Sequence, residues 1–197
     1  MDIERFKKQI DFVLEIDKEK EIYRQTHISD YKRQENDAEH AWHMAIMIYL
    51  LREYANEKFD VTKAMMMALI HDIVEIDAGD TYAYDTEGLK TRAEREKKAA
   101  DRIFSMLPEE QCDELKLLFN EFEEGKSPEA KFARVMDNFQ PLLLNDLNGG
   151  KDWQKHKVRK EQVVARQNKS RPGSQEIWEY TMRLIEENVQ KGNIKND

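Results

Sequence analysis

The chain has one cysteine, Cys112, so no disulfide can form within it, and the expected setting is a reducing, cytoplasmic one. Only 7 glycines and 4 prolines occur in 197 residues, which disfavours a fold of many short strands and tight turns and suits long helices. Long apolar runs are missing as well. The longest clean ones, residues 44–51 and 64–70, fall far short of the roughly 20 residues a bilayer requires. The N-terminal stretch MDIERFKKQIDFVLEID alternates charged and apolar residues and lacks the continuous apolar core of a signal peptide. Excess positive charge is absent too. A balance of 32 Lys and Arg against 40 Asp and Glu leaves a net charge of -8, which argues against a nucleic-acid polymer as the main partner. A small phosphorylated ligand is still compatible with that charge, because a metal ion and a few local cations can supply the positive field.

What is present is helical periodicity. Ile3, Phe6, Ile10, Val13 and Leu14 predict an amphipathic helix over residues 2–17, and residues 18–35 read as a polar loop carrying Arg24, Lys32 and Arg33. Asn36 with Glu39 three residues on forms a capping-box pattern for a helix reaching Tyr54, with His40, Met44, Met47 and Leu51 on one stripe. Asp60 or Thr62 can cap the next helix. Residues 87–106 form a charged helix whose Arg92, Arg95, Lys97 and Lys98 read as a solvated face. Pro108 starts a helix to about Glu124. Ser127-Pro128 starts another, in which Pro141 should kink the chain beside Asp137. After Asn148-Gly149-Gly150 come Trp153, His156, a basic run over residues 155–160 and a last amphipathic helix through Ile177, Leu184, Ile185 and Val189. No repeat, low-complexity tract or sustained period-2 alternation is present, so the expected fold class is all-α. The expected organisation is one domain over residues 1–197, with a core at about 21–144 and a helical extension at 145–197.

The stretch AMMMALIHDIVEIDAGD, residues 64–80, organises the rest. Residues 64–76 read as one helix that is apolar on nearly every side, interrupted by His71, Asp72 and Glu75. Burying ionised groups without partners costs several kcal/mol each, so three on one face of a buried helix need a reason. A histidine bonded to a local carboxylate is the ordinary explanation of a His-Asp pair. The wider set changes the balance: His40, His71, Asp72, Glu75, Asp80 and Asp137 come from three helices and a loop, each in an apolar context. Two imidazoles and two carboxylates make a mixed nitrogen–oxygen site suited to one divalent transition metal (Mn, Co, Fe, Ni or Zn), whereas a pure magnesium site is usually all oxygen.

The order H…HD…D, with EHAWH around His40, MALIHDIVEIDAGD around His71-Asp72 and SPEAKFARVMDNF around Asp137, resembles the HD-domain metal-dependent phosphohydrolases. Within that superfamily it is most similar to the 5'-deoxynucleotidase branch, whose signature is HD, a glutamate three residues later, then Gly-Asp; here these are His71-Asp72, Glu75 and Gly79-Asp80. The resemblance implies metal ligation by His40, His71, Asp72 and Asp137, with Glu75 and Asp80 as the acid/base and water-orienting pair. It implies a nucleotide contact from Arg24. The family residue that follows can be tryptophan, which helps reject a ribose 2'-hydroxyl; this chain has Gln25. The expected activity is release of phosphate from (deoxy)ribonucleoside 5'-monophosphates, and homodimerisation is expected through residues 6–13 or 177–185. The alternatives are hydrolysis of another phosphoester (a nucleoside polyphosphate, guanosine tetraphosphate or a cyclic nucleotide) and a metal-binding regulatory protein with little catalysis. Cyclic dinucleotide phosphodiesterases carry Gly-Lys where this chain has Val74-Glu75. Guanosine tetraphosphate hydrolases carry Glu-Asp, for which Asp77 is a displaced counterpart or an ordinary helix-end carboxylate.

Overall fold

The computed structural model describes residues 1–196. Helix α1 covers Ile3–Ile16 and leads through a 3-10 turn, Asp17–Glu21, into two short strands, β1 (Tyr23–His27) and β2 (Gln34–Asn36). Helices α2 (Asp37–Leu51), α3 (Val61–Ile70), α4 (Glu75–Ala78), α5 (Leu89–Phe104), α6 (Glu109–Glu124) and α7 (Pro128–Leu147) follow, then α8 (Lys151–Lys155), α9 (Lys160–Asn168) and α10 (Gln175–Gln190). The architecture is all-α apart from the antiparallel β1–β2 ribbon.

The helix starts follow the local chemistry. Asn36 accepts from the Glu39 amide at 2.9 Å and Glu39 Oε2 accepts from the Asn36 amide at 3.2 Å, closing the capping box of α2. Asp60 caps α3 and Ser127 caps α7, with Pro128 in the first turn, where its missing N–H is no loss. Each such cap is worth about 1 kcal/mol. Gly79, at φ 72°, ends α4 in a conformation that a side chain disfavours.

α2, α3 and α7 pack on one another through Met44, Ile48, Met67, Phe132 and Met136, and Ala64, Ala68, Ala130 and Ala133 let the backbones approach. Trp153, Val163, Ile177 and Ile185, from beyond residue 145, are buried in the same cluster. A second cluster joins Ile70, Ile73 and Val74 to Ile103, Phe104 and Phe119. The chain passes from one cluster to the other between Ala68 and Ile70, just before His71.

Two expectations change. The polar stretch 18–35 contains all of the ribbon but its last residue, with Tyr23 opposite Asn36 and His27 opposite Gln34. YRQTH and QEN are too short and polar to show alternation, and the ribbon is tied down by long-range bonds instead: Asp152 accepts from the His27 amide at 3.1 Å and from the Tyr31 hydroxyl at 3.0 Å. The central helix does not run on to Ile76. α3 ends at Ile70, and the turn over residues 71–74 is tightened by the bond from the Glu75 amide to the Asp72 carbonyl at 2.8 Å. In such a turn residues three apart eclipse, which aligns Asp72 with Glu75. α7 has Pro141 inside its bounds. The apolar stripe of α1 is not covered: only Phe12 is buried, while Ile3, Phe6, Ile10, Val13 and Leu14 are exposed. Among the described residues, no helix is long and apolar enough to cross a membrane.

Candidate metal centre

α2, the end of α3 and α7 bring His40, His71 and Asp72 together, with one ligand atom from each lying within 4.8 Å of the others. All three residues are buried. Asp137 joins them from α7. Its Oδ1 stands 3.4 Å from His40 Nε2 and 3.9 Å from His71 Nε2.

Acceptors behind the two rings fix which nitrogens face the centre. His71 Nδ1 donates to the Ala68 carbonyl at 2.8 Å. His40 Nδ1 donates to Gln140 Oε1 at 3.0 Å. The Gln140 amide can only be oriented this way, because its nitrogen serves Glu35 Oε1 at 2.6 Å and His43 Nδ1 at 3.1 Å. With Nδ1 protonated in each neutral ring, both Nε2 lone pairs point at carboxylate oxygens. Neither side then supplies a proton. His71 Nε2 and Asp72 Oδ2 are 3.0 Å apart, yet Nε2 is buried without a hydrogen-bond partner: the groups have the distance of a bond but not its direction. They converge on a common point, as ligands of a cation do. The donor set therefore fits a divalent metal held by His40, His71, Asp72 and Asp137.

The electrostatics of the metal-free chain set the two rings apart. Burial, with the Arg24 charge, lowers His40 to about 4, so it is a neutral imidazole at pH 7. Burial would also lower His71, but the Asp72 and Asp137 carboxylates outweigh it and raise the group to about 9 in the metal-free chain, so this ring is protonated at pH 7 there and would give up its Nε2 proton on binding a cation. Burial pushes Glu75 well above the usual carboxylate range, helped by Asp72 and Asp37. Asp80 is raised mainly by burial, against the pull of Arg24. Glu75 is buried and its Oε2 has no partner. Glu75 and Asp80 both line the cavity that opens on His71, Asp72 and Asp137.

Arg24 and Gln25 also line this cavity. Arg24 is more constrained than a substrate contact alone requires: its Nη1 donates to Asp37 Oδ1 at 2.9 Å and to Asp72 Oδ2 at 2.6 Å, so it fixes a ligand carboxylate. Asp77 lies outside the site, where it pairs with Arg102. The basic run does not reach the cavity either: Lys155 and Lys157 are exposed, Arg159 pairs with Glu161, and Lys160 pairs with Glu186.

Several groups were not visible from the sequence. Asp37 is fully buried beside Arg24, and burial with Asp72 raises it to about 7; in sequence it looks like any acidic residue in a first helical turn. Gln140 had one available signal, its spacing of three from Asp137 in an apolar stretch. Of the run expected to be solvated, Arg92 lines the cavity and pairs with Glu96, while Arg95 donates to Thr81 Oγ1 at 2.7 Å and to the Ala78 carbonyl.

An HD domain family model matches residues 16–178. The chain belongs to the HD domain family. It is similar to a predicted metal-dependent phosphohydrolase of Magnetospirillum magnetotacticum MS-1, with 43% identity, 96% of this chain and 95% of that one covered, and a TM-score of 0.92. A conserved hypothetical protein of Pyrococcus furiosus, at 24% identity and TM-score 0.62 over 92% of this chain and 99% of that one, shares the fold. Among curated proteins, the human 5'-deoxynucleotidase HDDC2 is 30% identical over 112 residues, which is 57% of this chain and 53% of that protein. The 5'-deoxynucleotidase hdd1 of Schizosaccharomyces pombe is 27% identical over 130 residues, 61% of this chain and 64% of that protein. The aligned part of this HD domain thus spans about half the length of the first of these relatives.

Proposed function

We propose that the chain is a metal-dependent phosphomonoesterase acting on (deoxy)ribonucleoside 5'-monophosphates, with one divalent transition metal at His40, His71, Asp72 and Asp137. The observation that carries this is the convergence of two fixed Nε2 lone pairs and two carboxylates at the floor of a cavity lined by arginines. The names of the curated relatives support the nucleotide class.

When bound, such a cation would lower the pKa of a coordinated water and withdraw charge from the phosphate oxygens. Glu75 is suited to take the proton of the attacking water, because burial and two neighbouring carboxylates make its own carboxylate a stronger base than an exposed one. Asp80, on the far side of Gly79, orients that water. Arg24 keeps Asp72 ionised and aimed at the centre, and offers its remaining donors to the phosphate. Gln25 lines the cavity where tryptophan can stand in the related branch, so no bulky ring at that position closes off a ribose 2'-hydroxyl.

We place this activity in the cytoplasm and in a homodimer. Residues 177–185 cannot supply the dimer surface through Ile177 and Ile185, which are buried. The exposed stripe Phe6, Ile10 and Val13 remains, and α2 adds exposed Trp42, Ile46, Tyr49 and Leu50.

The test is phosphate release from a panel of ribo- and deoxyribonucleoside 5'-monophosphates after chelation and addition of Mn, Co or Mg. Release from both sugars is expected from Gln25, and release confined to deoxyribonucleotides would move sugar selection to another residue. No release with any metal would overturn the monophosphatase reading.

A further inference from the structure

We propose that Arg166 on α9 binds the phosphate group of the substrate, so that the segment after residue 145 completes the active site. This rests on the phosphoester reading above and names a residue for it.

Arg24, Arg92 and Arg166 line the cavity. The first two are committed: Arg24 to Asp37 and Asp72, and Arg92 to Glu96. Among the described residues, the Arg166 guanidinium has no ion pair or side-chain hydrogen bond, although the residue is half-buried. A long cationic side chain left to itself keeps its head in water.

The position of α9 is fixed beside the centre. Val163 is buried in the main core. Gln167, also buried, donates through Nε2 to the Asn138 carbonyl at 2.8 Å, one residue past the ligand Asp137. Val163, Arg166 and Gln167 fall at i, i+3 and i+4, so Arg166 shares the inward face. Its charge acts at the centre. It is among the influences that hold Asp137 low against burial, together with the neighbouring His40 and His71 rings, and it also pulls against the burial that raises Asp80.

Charge balance gives Arg166 its role. A phosphomonoester dianion must enter a cavity already lined by Asp72, Glu75, Asp80 and Asp137. Arg24 is neutralised by two carboxylates and Arg92 by one, so of the three arginines only Arg166 brings uncommitted positive charge. Its planar fork can donate to two phosphate oxygens at once, which a lysine cannot do.

The test uses Mn-loaded full-length protein with inorganic phosphate as the probe. Phosphate and Mn affinities are measured for wild type, Arg166→Ala, Arg166→Lys and, as a matched loss of charge at the C-terminal cap of the helix, Lys169→Ala, which is exposed. Arg166→Ala is expected to weaken phosphate by about tenfold or more, the loss of a charge-assisted contact, with Mn affinity held within roughly twofold. Arg166→Lys should fall between it and wild type, and Lys169→Ala should match wild type. Phosphate affinity unchanged in Arg166→Ala would overturn the assignment. So would a parallel loss of Mn, which would mean that Arg166 acts only on Asp137. If wild type binds phosphate but hydrolyses no nucleoside monophosphate, the substrate reading fails while Arg166 keeps its role. If wild type binds no phosphate, both fail.

Discussion

The cavity has two unlike walls. One carries ligands: His71 and Asp72 at the end of α3 and Asp137 on α7, with His40 of α2 in reach of Asp137, all on helices whose other residues fill the core. The other carries cations: Arg24 on β1, Arg92 on α5 and Arg166 on α9, all in polar or charged segments. Several ionisable groups in apolar helices cannot be put down to solvation, so the ligand wall stands out in the sequence. An arginine among charged residues has an ordinary solvated explanation, so the cation wall does not. Chemistry is most legible where it violates the pattern around it.

The two walls should respond differently to substitution. The largest effect short of losing the metal should come from Glu75→Gln. It keeps the shape of the side chain and leaves the four ligands intact, so Mn affinity should hold while turnover at saturating metal falls by about 10²–10⁴-fold. A variant that keeps full turnover would remove Glu75 from proton transfer.

Arg24→Met probes whether the cation wall is only a substrate surface. Asp37 and Asp72 are buried, with side chains 0% and 4% exposed, and Arg24 is the cation that pairs with both. Its removal should cost about 3–5 kcal/mol in the metal-free protein by urea unfolding, the penalty for leaving buried charge unpaired. Unchanged stability with only a raised KM would make Arg24 a plain substrate contact and erase the distinction between it and Arg166.

A smaller effect is expected at Gln140→Leu. Gln140 Oε1 is the acceptor that keeps the His40 proton on Nδ1. Without it the ring is free to adopt the wrong tautomer, and Mn affinity should drop by about 10–100-fold. The expected control is Lys157→Ala: Lys157 is exposed and outside the cavity, so metal affinity and turnover should match wild type.

The same contrast explains what the sequence reveals of the fold. The α2 capping box at Asn36 and Glu39 and the Ser127-Pro128 start of α7 were readable because capping is local chemistry. The ribbon at Tyr23–His27 was not, because it is held by Asp152, more than a hundred residues away, and by backbone pairing that leaves no side-chain pattern. The turn after Ile70 was hidden because its residues suit a regular helix equally well. What tightens it is the tertiary demand that His71 and Asp72 face one centre while Ile73 and Val74 reach a different core cluster. Gln140 and Glu35 needed the fold, since 105 residues separate them in sequence. The apolar stripe of α1 was legible as a pattern, but its destination was not: an amphipathic helix announces a face to be covered without saying what covers it.

The most direct test of the central claim is titration of chelator-treated protein with Mn or Co, followed by calorimetry, for wild type and His71→Ala. One metal per chain is predicted for wild type, with binding lost in His71→Ala while the variant still unfolds cooperatively. Absence of binding to wild type, or binding that persists without the His71 imidazole, would contradict the assignment of this centre as a metal site.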